Sequence, residues 1–176
     1  MIPRRCRPAL LLLACLATSL TRCHGGNLFG LNPPADCPVV STADPFDLEA
    51  YAAHPWYIQQ QMVVRYQPLD TLYCVRASYT LERNGEGDVV SASILNTANE
   101  GSVGGPPQNA DMMRLRALIA DRSGATPPSK LLVGPTFLPR FLYGPYWIVA
   151  VSELRENAAE GYDWAVVSGG QPTVRR

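Results

Sequence analysis

Apolar and polar side chains alternate with a period of two through most of the chain beyond residue 55, the mark of strands with one buried face. Over residues 56–64, Trp56, Ile58, Gln60, Met62 and Val64 share one face, and Tyr57, Gln59, Gln61 and Val63 the other. Residues 73–81 repeat the pattern more cleanly, with Tyr73, Val75, Ala77, Tyr79 and Leu81 inward and Arg76, Ser78 and Thr80 outward. Asn84-Gly85, within the polar stretch 82–88, predicts a hairpin, because these residues tolerate the positive φ that tight turns demand. A third strand follows over 88–97, and a Gly- and Pro-rich loop over 101–108. Residues 112–120 read as a strand with Met113, Leu115, Ala117 and Ile119 on one face, although their propensities favour helix. Residues 130–137, 145–152 and 162–168 are three further apolar segments. Roughly seven short strands with hairpin-like links predict an all-β antiparallel barrel or sandwich.

Ahead of the first strand, Asp44 or Asp47 can cap a single helical turn over residues 48–52. The stretch 26–43 predicts an extended arm, since Pro33-Pro34 and Cys37-Pro38 exclude helix. Residues 1–25 read as a secretory signal peptide: Arg4, Arg5 and Arg7 form a charged start, and residues 9–20 an apolar core. That core falls short of the ~20 apolar residues a membrane span needs, so no stable membrane insertion is expected. Leu12-Leu13-Ala14-Cys15 mimics a lipoprotein box, but its apolar run continues past Cys15. The expected organisation is thus a signal peptide (1–25), an arm (26–43) and a barrel domain (44–176), in a chain that is secreted or delivered to an organelle lumen.

The full chain balances 15 basic against 15 acidic residues, but the leader carries four of the arginines (Arg4, Arg5, Arg7 and Arg22). The remainder is mildly acidic, which argues against nucleic acid as a partner. No Cys-x-x-Cys, His-rich or phosphate-loop pattern occurs, so neither cofactor nor metal is expected. With His54 the only histidine beyond the leader, a Ser-His-Asp triad is not expected either, and no catalytic residue is assigned. Cys6 and Cys15 belong to the leader, which leaves Cys37 and Cys74, with Cys23 if cleavage is early.

Two blocks carry a family resemblance. Residues 44–80 join a helical turn, the Trp56-Tyr57 pair and a second strand, and they resemble the opening of a lipocalin. GPYWIVA (144–150) followed by YDWAVVSG (162–169) has the order and spacing of the later hairpin in the apolipoprotein D-like lipocalins. The likeness spans about residues 37–173. It implies an up-and-down lipocalin-like barrel, a calyx whose closed end is plugged by Trp56; His54 and Pro55 stand where the family motif begins with glycine, and its last-strand arginine has no counterpart. A complete calyx has eight strands and a wall helix; this chain reaches Arg176 where the eighth strand would begin, so an incomplete barrel with open edges and self-association is expected.

The function so implied is binding and transport of a small hydrophobic ligand: a lipid, sterol, retinoid or carotenoid-like pigment. The implied calyx residues are Trp56, Ile58, Gln60, Met62, Val75, Tyr79, Leu115, Val133, Phe137 and Trp147, with the Gln60 amide available to a ligand hydroxyl or carbonyl. The alternative is a lipocalin-fold enzyme acting on a lipid or polyene, such as a de-epoxidase or an isomerase using the Cys74 thiol. In the resembling family, cysteines at the positions of Cys37 and Cys74 find partners further along, yet no cysteine follows Cys74 here. The two either pair with each other, or with Cys23 or another chain, or one stays a thiol.

Overall fold

The computed structural model describes residues 38–62, 68–108, 114–121, 127–155 and 160–172. The leader, most of the arm, Cys37 and Met113 lie outside the described residues. One short helix, α1 (Leu48–Ala52), precedes seven strands: β1 (Trp56–Tyr57), β2 (Tyr73–Arg83), β3 (Val89–Asn99), β4 (Arg114–Ile119), β5 (Lys130–Pro135), β6 (Gly144–Val151) and β7 (Ala165–Ser168). Each strand pairs antiparallel with its chain neighbour, giving a single sheet in sequential order. The sheet curls into an open half-barrel, consistent with an incomplete lipocalin-like calyx. Among the described residues β1 pairs only with β2 and β7 only with β6.

The two-residue alternation sets which face is buried. Ala77, Tyr79 and Leu81 of β2, Ala92 and Ile94 of β3, Leu115, Ala117 and Ile119 of β4, and Leu131 and Val133 of β5 all turn to one core. Tyr146, Ile148 and Val151 of β6 join them with Ala165 and Val167 of β7. The step from Ile148 to Val151 spans three residues because a bulge inserts one extra residue between Ile148 and Ala150, opposite adjacent partners on β7. Strand wins over helix in β4, where ladders to β3 and β5 on either side outweigh the propensities of Arg114, Leu115 and Ala117.

Several boundaries differ from those the sequence predicts. The first strand ends after two residues, with one further backbone bond from Ile58 N to Val75 O (3.0 Å). Gln59 then turns its side-chain amide back to the Tyr57 carbonyl (3.2 Å), and the expected alternation is lost at Gln60 and Met62; Val63 and Val64 lie outside the described residues. β5 stops at Pro135, where a turn closed by Leu138 N to Pro135 O (3.0 Å) carries Phe137 out of the sheet. The β2–β3 hairpin forms, but its positive φ falls on Gly87 (92°) rather than on Asn84-Gly85. Asn84 instead accepts from the backbone N–H of Glu86 (3.0 Å) and Asp88 (2.9 Å), an Asx turn. A second bulge in β2, between Tyr73 and Arg76, holds Cys74 at φ 48°, a left-handed conformation uncommon outside glycine.

The helical turn caps as expected: Asp47 Oδ1 accepts from Glu49 N (2.8 Å) and Ala50 N (3.0 Å). The arm is tied to the sheet through Ala43, whose N–H donates to Ile148 O (2.9 Å) and whose carbonyl accepts from Ser129 Oγ (2.8 Å). Further back, the Gln171 amide accepts from Val40 N (2.9 Å) and donates to Pro38 O (2.8 Å). From the β6–β7 connection, buried Gly161 presses against α1 at φ +68°, where an added Cβ would sit 2.6 Å from the Ala50 carbonyl oxygen. Gly161→Ala is therefore expected to cost about 1–3 kcal/mol, read as a lowered melting temperature. Gly104→Ala, where a Cβ meets open space, should leave melting unchanged.

Candidate functional site

The interior of the half-barrel is built around aromatic rings that four small side chains, Ala77, Ala92, Ala117 and Ala165, leave room for on the wall. Tyr51, the fourth residue of α1, points inward and is 1% exposed. Its backbone carbonyl accepts the Trp56 indole N–H (2.8 Å), and the two rings lie 4.9 Å apart. Phe46 packs on Tyr51 at 5.5 Å and stacks on Tyr162 at 6.0 Å, while the Tyr162 hydroxyl accepts the Asp47 N–H (2.9 Å). These contacts fix the entry of the chain into β1 and aim the Tyr51 ring edge-on at Tyr79, 5.4 Å away.

At the centre, three phenol oxygens from α1, β2 and β6 meet: Tyr51 to Tyr146 at 3.0 Å and Tyr79 to Tyr146 at 2.7 Å. Burial, helped by the neighbouring phenols, pushes Tyr51 and Tyr79 well above the ordinary tyrosine value. Burial also raises Tyr146, against the opposing effect of its hydrogen bonds to the other two. All three are neutral hydroxyls at physiological pH. Beside them lies a cavity of about 240 Å³, walled by Trp56, Ile58, Ala77 and Val167, with Gln61 and Ser168 contributing polar groups. Among the described residues no Lys, Arg, His, Asp or Glu lines it. A second hollow of about 510 Å³ lies apart, between residues 43–47 and residues 150–154 with Tyr162, and carries Asp44, Asp47 and Glu153.

Of the residues the sequence singles out, Trp56, Ile58 and Tyr79 border the interior cavity. Leu115 and Val133 pack on the same core from β4 and β5, and Val75 is half-buried on β2. Four fall elsewhere. Gln60 is exposed and Met62 is 70% exposed, because the ladder breaks before them; Gln61 takes the lining position instead. Phe137 is 83% exposed in the turn after β5. Trp147 faces away from the core, under the Lys130 ammonium 5.0 Å from its ring centroid, since its neighbours Tyr146 and Ile148 hold the inward positions.

Tyr51 and Tyr146 escape a strand-by-strand reading. Tyr51 sits in a helical turn that looks like mere lead-in, and Trp147 outranks Tyr146 in apolar area, which inverts the phase of β6. A check of phase across β5–β6 would have found it: Leu131 lies opposite Tyr146 and Lys130 opposite Trp147, so the apolar pair belongs inside. Cys74 is disulfide-bonded, and Cys37, its candidate partner from the sequence, lies outside the described residues. Among the described residues no group of three His, Cys, Asp or Glu is placed to hold a metal ion, and no helix is long and apolar enough to cross a membrane.

Comparison with models of protein families, with curated proteins and with solved structures finds no match to this chain. What the interior can do chemically follows from its own residues: it can enclose an apolar body and present neutral O–H groups. The described lining pairs no nucleophile with a base. Because the three folded phenols ionise above the value they have when unfolded, native protein holds protons that unfolded chain has released once pH passes about 10. Stability is thus fully present below about pH 10 and falls as pH climbs toward the folded values. Melting temperatures taken across the alkaline range should show this decline, shallower in a Tyr51→Phe/Tyr79→Phe/Tyr146→Phe variant; an identical slope would refute it.

Proposed function

We propose that this chain binds and carries a small hydrophobic molecule in the half-barrel interior. The observation that carries this reading is the apolar cavity of about 240 Å³, bordered by the three hydrogen-bonded neutral tyrosines and, among the described residues, by no charged group. A pocket of that size takes a fragment-sized ligand, or one end of a longer molecule whose remainder lies along the open side of the sheet. Burying about 200 Å² of apolar ligand surface at ~25 cal/mol per Å² yields roughly 5 kcal/mol before association costs, so useful affinity calls for the longer molecule.

The sequential meander and Trp56 packed beneath the interior support a carrier of the lipocalin kind, with a lipid, sterol, retinoid or carotenoid-like pigment as cargo. The disulfide at Cys74 supports an oxidising location, secreted or within an organelle lumen. It also favours carrier over thiol enzyme, because a disulfide sulfur is not the thiolate that lipid isomerisation would need. Among the described residues no strand pairs with the outer sides of β1 and β7, which favours self-association, restrained by the shortness of both edges.

Titration of the protein with retinol and with a fluorescent fatty acid, followed by tryptophan emission, should give saturable quenching for at least one of them. Ala77→Leu, which pushes a larger side chain into the cavity, should weaken that binding by about tenfold or more, equivalent to ~1.4 kcal/mol. Absence of saturable binding across lipid, sterol and polyene ligands, or affinity untouched by Ala77→Leu, would count against an interior site.

A further inference from the structure

Six exposed apolar side chains stand at one end of the half-barrel, the end at which its interior cavity reaches Gln61, Ser168 and Gly169. Antiparallel register identifies this mouth: Tyr73 lies opposite Asn99 and Leu115 opposite Pro135, while Glu49 of α1 pairs with Arg83 at the far end of β2 (2.7 Å). Leu69 precedes β2, Tyr73 opens it, and Val103 lies in the loop after β3, where Gly101 N donates to Asp70 O (2.7 Å). Phe137 and Phe141, each 83% exposed, and Leu142 stand on the β5–β6 loop. That loop is held with these side chains outward. Its backbone closes two successive turns, Leu138 N to Pro135 O (3.0 Å) and Leu142 N to Pro139 O (3.0 Å). At its base the Tyr143 ring covers Gly134, where an added Cβ would sit 2.4 Å from the ring.

We propose that this mouth docks on the surface of an anionic lipid bilayer, with Phe137, Phe141 and Leu142 entering among the headgroups and Arg140 meeting the phosphates. Exposed apolar clusters of this kind mark contact surfaces, and two features select lipid as the occupant. Residues 136–144 carry one arginine and no acidic residue, so the loop joins apolar tips to a charge complementary to anionic headgroups. The apolar side chains also stand on three separate loops around an opening, which suits a deformable surface better than a rigid partner. Side chains enter, not a spanning segment, so the association is peripheral and reversible. For its purpose, though not for its evidence, the docking rests on the carrier reading: a hydrophobic cargo passes between bilayer and cavity without crossing water.

Cosedimentation of the full chain with phosphatidylcholine vesicles, with and without phosphatidylserine, tests this. Phe137→Ser/Phe141→Ser should weaken partition onto phosphatidylserine vesicles at least about tenfold, with melting unchanged because both rings are exposed. Arg140→Gln should weaken it about 3- to 5-fold on those vesicles and leave phosphatidylcholine alone unaffected. Leu154→Ser, at the opposite end, should change neither. A Phe141→Trp variant reads the contact directly: its added indole emission should shift to the blue on vesicles and be quenched by brominated acyl chains. Wild type that does not sediment with vesicles, or partition that both loop variants leave intact with the added indole unquenched, overturns the docking. Dimerisation through the same two phenylalanines in place of vesicle binding overturns it in favour of a second copy. Vesicle binding by a protein that shows no saturable lipid, sterol or polyene binding sinks the carrier reading alone.

Discussion

A hydrogen-bonded bridge across the interior, Tyr79 to Tyr146 to Tyr51, is the constraint on which the shape of this sheet depends. β2 and β6 are separated in the sheet by β3, β4 and β5, and no strand among those described closes β1 onto β7. An open twisted sheet has no intrinsic reason to hold its second and sixth strands face to face. The phenol rings provide one: each reaches inward from its own wall, and the oxygens meet at 2.7 and 3.0 Å. The net worth of each bond is about 0.5–1.5 kcal/mol, but the burial of the rings that the geometry enforces is worth more. Breaking the bridge would expose both.

The alanines on the wall make the bridge fit. Ala92 lies opposite Ala117 in the β3–β4 ladder, and Ala77 lies opposite Trp56 in the β1–β2 ladder, so the sheet is thin where the rings need depth. Large side chains at those positions would fill the cup from the wall and force the tyrosines out. The same pairing of small wall and large insert leaves the residual cavity, so stability and ligand capacity share one origin. Where β5 begins, the arm extends the ladder along β6: Ala43 bonds to Ile148 and Ser129, beside the Ile148 N–H to Ser129 O bond of 2.9 Å.

Period-two alternation was enough to read seven strands in order, because each is buried on one face and a one-residue slip would put the wrong side chains in water. The Asp47 cap was legible for the same kind of reason, a local donor and acceptor at fixed spacing. Sequence fell short where a choice is made between partners rather than along a strand. Gln60 and Met62 depend on how long β1 stays paired, which Gln59 ends by bonding its own neighbour; Phe137 depends on a turn after Pro135. Trp147 and Tyr146 compete for one inward position, decided by Lys130 across the ladder. The tyrosine cluster joins α1, β2 and β6 over 95 residues of chain separation, and no local pattern announces it.

The measurement that bears most directly on this account is a double-mutant cycle on the bridge, comparing the unfolding free energies of wild type, Tyr79→Phe, Tyr146→Phe and the pair. If the two hydroxyls hold β2 to β6, the coupling between them should be favourable by about 0.5–1.5 kcal/mol, with the double variant less destabilised than the sum of the singles. Strict additivity, with each substitution acting as though the other ring were absent, would contradict it.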